Sequence, residues 1–141
     1  MRSYYVDTCI YLNLWKKEVN NNTLLWKYAK EFFEKAEEEK SIIYYSGFLL
    51  KELMFILNTE EYLNKRELFD SSFNFKKALL SKEEYNLASK IKKENNEISF
   101  YDIIHMMLAK QTNSILITRD KLLINLAKEY FIVAKKPEEI L

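Results

Sequence analysis

The sequence predicts an α/β protein whose parallel sheet is covered by helices on both faces. Short runs rich in aromatic and β-branched residues alternate with longer segments of helical periodicity, as strands joined by crossover helices do. Gly and Pro occur only once each in 141 residues, which disfavours turn-rich all-β architectures. The length is that of one ordinary domain, and we expect a single domain over residues 1–141.

The first half of the chain predicts two strand–helix units followed by a further helix. In chain order the expected elements are a strand at Ser3–Val6, helices at Cys9–Trp15 and Leu24–Glu39, a strand at Ser41–Ser46, and helices at Phe48–Leu57 and Thr59–Phe69. The strands are short and apolar, and the helices carry apolar residues at helical spacing. A polar break at Asn20–Thr23 separates the first two helices, with Thr23 as the expected N-cap of the second.

The second half predicts three further strands and three helices. The expected elements are a strand at Ser72–Phe75, helices at Ser81–Asn95 and Ser99–Ala109, a strand at Ser114–Thr118, a helix at Asp120–Glu129 and a strand at Phe131–Ala134. Ser81 and Glu84 have the spacing of a capping box, and so do Ser99 and Asp102. We see no repeat and no linker in the sequence.

Composition limits the class of function. The chain carries 22 basic and 21 acidic residues, a net charge of +1, so bulk charge does not indicate a nucleic-acid binder, although a local basic patch remains open. Cys9 is the single cysteine, which excludes an internal disulfide and fits a reducing compartment. No apolar run approaches the roughly 20 residues that cross a bilayer, and Asp7 comes too early for a secretion signal. We therefore expect a cytoplasmic protein with no membrane partner.

Four carboxylates follow a pattern in the predicted layout. Asp7 comes directly after the first strand, and Asp120 comes just past the strand that ends at Thr118. Asp102 opens the helix that leads into that strand, and Glu52 lies on the helix after the second strand. Sites in open parallel sheets form outside the carboxyl ends of the strands, so these acids are expected to converge. Because neighbouring carboxylates repel, an all-oxygen cluster of this kind suits Mg²⁺ or Mn²⁺.

Each acid also has a simpler structural explanation. Asp7 and Asp120 each precede an apolar run and could be helix N-caps. Asp102 could be only the capping-box partner of Ser99, and Glu52 could lie on the solvated face of its helix.

Side chains near the acids carry similar alternatives. His105 is expected to be a packed helix residue, because hard cations prefer oxygen, and Cys9 a small buried residue rather than a nucleophile. Tyr11 and Trp15 either stack on an unpaired base or belong to the core or a dimer interface.

Three basic residues adjoin the acids. Lys51 precedes Glu52, and Arg119 and Lys121 flank Asp120. These side chains either contact the phosphate backbone of a nucleic acid or simply solvate helix surfaces.

Four short motifs, in this order, resemble those of the PIN-domain family. They are Tyr5-Val6-Asp7-Thr8, Leu50-Lys51-Glu52-Leu53, Tyr101-Asp102-Ile103-Ile104-His105 with Ala109, and Thr118-Arg119-Asp120. The resemblance extends over nearly the whole chain. The family includes the VapC-type ribonuclease toxins of toxin–antitoxin pairs.

The resemblance implies a PIN-like three-layer α/β/α fold with a parallel sheet of about five strands in the order 3-2-1-4-5. It implies metal-dependent cleavage of RNA by an acidic quartet of Asp7, Glu52, Asp102 and Asp120, which would hold Mg²⁺ or Mn²⁺, in the active site of an endoribonuclease. Thr8 and Thr118 match hydroxyl positions that usually flank this site. Some relatives carry a further acid after the last one. The segment 121–128 has none, which leaves one or two metal positions open.

The resemblance also implies partners. A VapC-type toxin would bind a cognate antitoxin, and such toxins commonly form homodimers, for which the aromatic residues around Trp15 and Trp26 are candidate contacts. The alternative is a PIN-fold module that binds RNA or protein inside an RNA-processing or repressor complex.

Overall fold

The computed structural model describes residues 2–140. The strands are β1 (Ser3–Val6), β2 (Val19–Asn20), β3 (Thr23–Leu24), β4 (Ile42–Tyr45), β5 (Phe75–Lys77), β6 (Ile115–Ile117) and β7 (Ala134–Lys135). The helices are α1 (Thr8–Trp15), α2 (Leu25–Glu38), α3 (Gly47–Ile56), α4 (Thr59–Ser71), α5 (Lys82–Glu94), α6 (Phe100–Gln111) and α7 (Lys121–Glu129), followed by a 3₁₀ turn at Pro137–Glu139. Within residues 2–140, no helix has both the length and the apolar composition needed to cross a membrane.

Five of the strands form one sheet in the order β5-β4-β1-β6-β7, and every neighbouring pair in it is parallel. Counting only these strands along the chain, the order is 3-2-1-4-5, as expected. Tyr5 of the central strand β1 lies opposite Tyr44 of β4 and Leu116 of β6. The chain leaves β1 toward one edge and later returns to fill the other edge, so the strand order reverses at β1 and β6. Ligand sites of open parallel sheets form at such a position.

Helices cover both faces of this sheet, which confirms the three-layer arrangement. Successive side chains of a strand point to opposite faces. Tyr4 and Val6 accordingly pack into a core with residues of α1 to α4, whereas Tyr5 packs into a second core with residues of α5 to α7. All three side chains are at most 1% exposed. Burial of each such large side chain stabilises the fold by about 1.5–3 kcal/mol, and β1 contributes to both cores.

The break at Asn20–Thr23 is a small hairpin in which β2 pairs antiparallel with β3. Asn21 and Asn22 have positive φ angles of 47° and 66°, as the two central residues of a tight hairpin turn require. The expectation that Thr23 caps the next helix is wrong, because Thr23 lies in β3. The cap position of α2 is held by Leu24, whose side chain makes no capping hydrogen bond.

Two strands are shifted along the sequence from their expected positions. β5 begins at Phe75 rather than Ser72. The last strand was expected at Phe131–Ala134 and is found at Ala134–Lys135. After α7 the chain reverses at Phe131, whose φ is 59° and whose side chain is 97% exposed. A left-handed residue cannot lie in a regular strand, so pairing begins only after this turn.

Candidate active site

A cleft of about 430 Å³ opens at the carboxyl ends of β1 and β6. It is lined by Asp7, Thr8, Cys9, Leu12, Glu52, Ile56, Asp102, Arg119 and Asp120. All four predicted acids therefore face one cavity. They come from four separate parts of the chain: the end of β1, helix α3, the first turn of α6, and the turn after β6.

Asp7 is the most deeply buried of these acids, with 4% of its surface exposed. Its Oδ2 accepts a hydrogen bond from the Thr118 hydroxyl at 2.8 Å and a weaker one from the Cys9 thiol at 3.3 Å. Asp7 occupies the N-cap position of α1, but its side chain makes no capping bond. Helix capping therefore does not explain this carboxylate, whose oxygens are directed to other side chains.

Two threonine hydroxyls contact the acids, at the positions that the family resemblance implies. Thr118, which is fully buried, donates to Asp7 and accepts the backbone N–H of Asp120 at 3.2 Å. Thr8 donates to Oε1 of Glu52 at 2.7 Å. Each hydroxyl thus fixes a carboxylate, and Thr118 also ties Asp7 to the turn that carries Asp120.

Glu52 is bonded on both sides of its Oε1 atom. Besides Thr8, the Nε2 atom of His105 lies 2.5 Å from Oε1. The alternative that Glu52 points into solvent on its helix is wrong. His105 is a packed helix residue, as expected, with no exposed surface, and its Nδ1 atom lies 2.7 Å from the Tyr5 hydroxyl.

The pKa of His105 is the outcome of two opposing influences. Burial alone would lower the pKa, because it disfavours the charged imidazolium. The hydrogen bond to Glu52 and the negative charges of Asp7, Glu52 and Asp102 outweigh burial and raise it. The raised pKa of His105 therefore reflects the negative charge of the acids around the cleft.

Asp102 combines a cap contact with an unfavourable electrostatic position. The Ser99 hydroxyl accepts the backbone N–H of Asp102 at 3.1 Å, so Ser99 caps α6. Burial, together with the negative charge of Asp7, raises the pKa of the Asp102 carboxyl to about 7, although His105 and Ser99 lower it. Ser99 provides the cap. The Asp102 carboxyl does not, and its ionised form is destabilised by partial burial and by the neighbouring acids.

Asp120 is an N-cap, as the simpler explanation proposed. Its Oδ1 accepts the backbone N–H groups of Leu122 at 2.9 Å and Leu123 at 3.3 Å. It nevertheless lines the cleft with the other acids. One carboxylate oxygen is committed to the helix, so this acid has less freedom than Asp102 to turn toward a ligand.

The donor chemistry of the cleft fits a hard divalent cation. Its polar groups are mainly carboxylate and hydroxyl oxygens, the ligands that Mg²⁺ and Mn²⁺ prefer. Within residues 2–140, however, no three Asp, Glu, His or Cys side chains stand close enough together to form a ready-made metal centre. Binding of one ion by three of these acids therefore requires their side chains to move closer together.

Of the three basic residues, only Arg119 lines the cleft, and its guanidinium is already engaged. Nε donates to Asn13 at 2.9 Å, and Nη1 donates to Glu138 at 2.9 Å. Lys51 and Lys121 are exposed outside the lining. Asn13 and Glu138 were not singled out from the sequence, because neither lies near a motif. Only the tertiary fold brings α1 and the C-terminal turn to Arg119.

Two further expectations concern α1. Tyr11 is 1% exposed and packs with Trp15, Phe33 and Phe69, so it belongs to the core, and base stacking by Tyr11 is wrong. Burial and the charge of Asp7 raise the pKa of the Cys9 thiol. The thiol therefore stays protonated at neutral pH, as expected of a small packed residue rather than a nucleophile.

Comparison with protein families gives a match to the PIN domain over residues 4–129. The match covers most of the chain, together with all four acids. The chain belongs to the PIN-domain family. A comparison with curated proteins gave no sequence match.

Several solved structures share the fold. VapBC-1 from nontypeable Haemophilus influenzae superposes with a TM-score of 0.68 at 16% identity, covering 96% of this chain and 98% of that one. VapBC2 from Rickettsia felis, bound to a DNA fragment from its promoter, gives 0.67 at 16% identity over 95% and 98%. FitAcB from Neisseria gonorrhoeae gives 0.63 at 16% identity over 96% and 98%. At these identities the similarity establishes the fold.

The raised pKa of Asp102 makes a prediction about stability and pH. The carboxyl has a pKa of about 7 in the folded chain and about 3.9 when unfolded. The folded state therefore binds this proton more tightly, and the associated stability, complete below pH ~4, is lost as pH rises through 7. In the presence of chelator, the urea midpoint of the parent should decrease when the pH is raised from 5 to 8. This decrease should be larger than that of Asp102→Asn, which lacks the titrating carboxyl.

Ser99→Ala is the control for the cap at the same helix end. It should lower stability by about 1 kcal/mol at pH 5, because it removes the cap of α6. The loss should be larger at pH 8, because the Ser99 hydroxyl also lowers the pKa of the Asp102 carboxyl. If the urea midpoints of the parent and of Asp102→Asn change equally from pH 5 to pH 8, ionisation of Asp102 does not destabilise the fold and the prediction is contradicted.

Proposed function

We propose that this protein is an endoribonuclease that depends on Mg²⁺ or Mn²⁺ and hydrolyses phosphodiester bonds of RNA. The observation that carries the proposal is the meeting of Asp7, Glu52, Asp102 and Asp120 in one cleft at the reversal of strand order. Membership of the PIN-domain family supports the same reaction class. A structural role alone does not account for three of these acids, since only Asp120 makes a side-chain capping bond.

In this proposal Asp7, Asp102, Asp120 and Glu52 hold the cation. A bound divalent ion supplies positive charge to the phosphate oxygens and lowers the pKa of the attacking water. Thr118 orients Asp7 and Thr8 orients Glu52 through their hydroxyl groups. The chain need not provide a nucleophile of its own, in keeping with the protonated Cys9 thiol.

The basic residues divide into two roles. Arg119 holds the turn between Thr118 and Asp120 against Glu138, which positions the turn rather than the substrate. Lys51 and Lys121 are exposed, and in sequence they adjoin Glu52 and Asp120. We assign the contacts with RNA phosphates to these two lysines. Such contacts are independent of sequence and weaken with salt.

We further propose that the protein is the toxin of a toxin–antitoxin pair. The similar structures include VapBC and FitAB complexes, and two of them are described as bound to DNA fragments. Those complexes support an antitoxin as the protein partner. The DNA-bound forms also favour a second candidate function, in which the chain acts mainly as a binding module within a repressor complex.

Cleavage of labelled structured RNA by the purified chain separates these candidates. We expect cleavage with Mg²⁺ or Mn²⁺ and none in excess chelator. Asp7→Asn should reduce the rate by at least about 100-fold, because several kcal/mol of charge stabilisation is lost. The control is Asp70→Asn, which removes an exposed carboxylate whose one salt-bridge partner within residues 2–140 is Arg66 on α4. It should leave the rate unchanged. Equal cleavage in chelator would contradict the metal requirement, and no cleavage at all would favour the binding module.

We also propose that the chain pairs with itself. Trp15 and Trp26 are only partly exposed, so they offer less surface than expected. Large apolar side chains instead lie exposed on α3 and α4: Met54, Phe55, Ile56 and Leu63. Large apolar side chains exposed to water favour self-association. Light scattering should give a dimer mass at micromolar concentration for the parent and a monomer for Phe55→Glu. A monomeric parent would contradict the proposal.

A further inference from the structure

A continuous chain of buried hydrogen bonds ends at Glu52. The Ser46 hydroxyl lies 2.7 Å from the Tyr5 hydroxyl, which lies 2.7 Å from Nδ1 of His105. Nε2 of His105 lies 2.5 Å from Oε1 of Glu52. Ser46, Tyr5 and His105 are each at most 1% exposed, so water does not compete for these bonds.

The direction of the last bond follows from chemistry. An ionised carboxylate only accepts hydrogen bonds, so Nε2 must carry the hydrogen that it shares with Glu52. At the other side of the ring, the Tyr5 hydroxyl donates to Nδ1 or accepts from it, depending on whether that nitrogen carries a hydrogen. Ser46 completes either direction, because its hydroxyl also donates or accepts. The ring is therefore satisfied at both nitrogens with Nε2 always facing Glu52.

The two donors to Glu52 converge on one oxygen. Thr8 and His105 both bond to Oε1, and Oε2 has no hydrogen-bond partner among residues 2–140. The carboxylate is thereby held at one oxygen, from a helix on one side and a buried ring on the other. The second oxygen is the one left for a ligand in the cleft.

We propose that His105 and Tyr5 are positioning residues of the site, which orient the Glu52 carboxylate so that its second oxygen serves the cation. Neither residue touches substrate or cation in this role. The inference rests on the proposed function, because it assumes that Glu52 is a cation ligand. Groups that orient metal ligands from outside commonly change metal affinity by 10–100-fold when they are lost.

The test is a titration of the full chain with Mn²⁺, in which the EPR signal of the free ion measures how much Mn²⁺ remains unbound. His105→Leu should weaken Mn²⁺ binding by about 10–100-fold, because it removes the donor at similar volume. His105→Gln restores a donor and should recover most of that loss. Tyr5→Phe should fall between them, since the ring loses its anchor at Nδ1.

Tyr11→Phe is the matched control. It also removes one tyrosine hydroxyl from the interior, but the Tyr11 hydroxyl has no hydrogen-bond partner among the described residues. Mn²⁺ affinity should therefore stay at the parent value in this variant. A folded His105→Leu that binds Mn²⁺ as tightly as the parent would overturn the positioning role. If His105→Leu does not fold, an unchanged affinity in Tyr5→Phe overturns it.

The outcome is separable from that of the proposed reaction. Mn²⁺ binding that depends on His105, in a parent that cleaves no RNA, supports the positioning role and contradicts the nuclease. If the parent cleaves RNA but neither His105→Leu nor Tyr5→Phe loses Mn²⁺ affinity, the nuclease is supported and the positioning role is contradicted. A parent that binds no Mn²⁺ overturns both.

Discussion

Electrostatic repulsion among acids at the carboxyl ends of β1 and β6 is the constraint on which the site depends. The parallel topology brings the residues that follow neighbouring strands to one edge, so Asp7 and Asp120 line the same cleft. Burial of Asp102, together with the negative charges of Asp7 and Glu52, raises the pKa of the Asp102 carboxyl. Much of the surrounding architecture compensates the charge: buried Thr118 at Asp7, and Thr8 with His105 at Glu52.

The same acids serve both the fold and the site, to different degrees. Asp120 caps α7 with one oxygen, and such a cap is worth about 1 kcal/mol, so part of its cost is returned as helix stability. The Asp7 and Asp102 carboxylates do not stabilise a helix in this way, because Asp7 makes no capping bond and Ser99 provides the cap beside Asp102. A ligand that binds only the folded state offsets such a cost. The uncompensated charge of these acids supports the proposal that the cleft holds a divalent cation.

The sequence predicted the fold class, because buried strands are local signals, and the resemblance to the PIN-domain family implied the strand order. The four acids that follow the predicted layout do line one cleft. It did not predict what depends on tertiary contacts. His105 was correctly expected to be packed, but its bonds to Tyr5 and Glu52 join residues separated by 100 and 53 positions. The engagement of Arg119 by Glu138 likewise requires the C-terminal turn to fold back. The shift of the last strand came from the left-handed turn at Phe131, for which a Phe gives no warning.

The central claim is that the cleft binds a divalent cation through its acids. A crystal of the protein grown with Mn²⁺ and measured at the manganese absorption edge tests this most directly. The account predicts an anomalous peak in the cleft, in contact with the Asp7 and Asp102 carboxylates, and its loss in Asp7→Asn. A cleft without a peak at millimolar Mn²⁺, or a peak only elsewhere on the molecule, would contradict it.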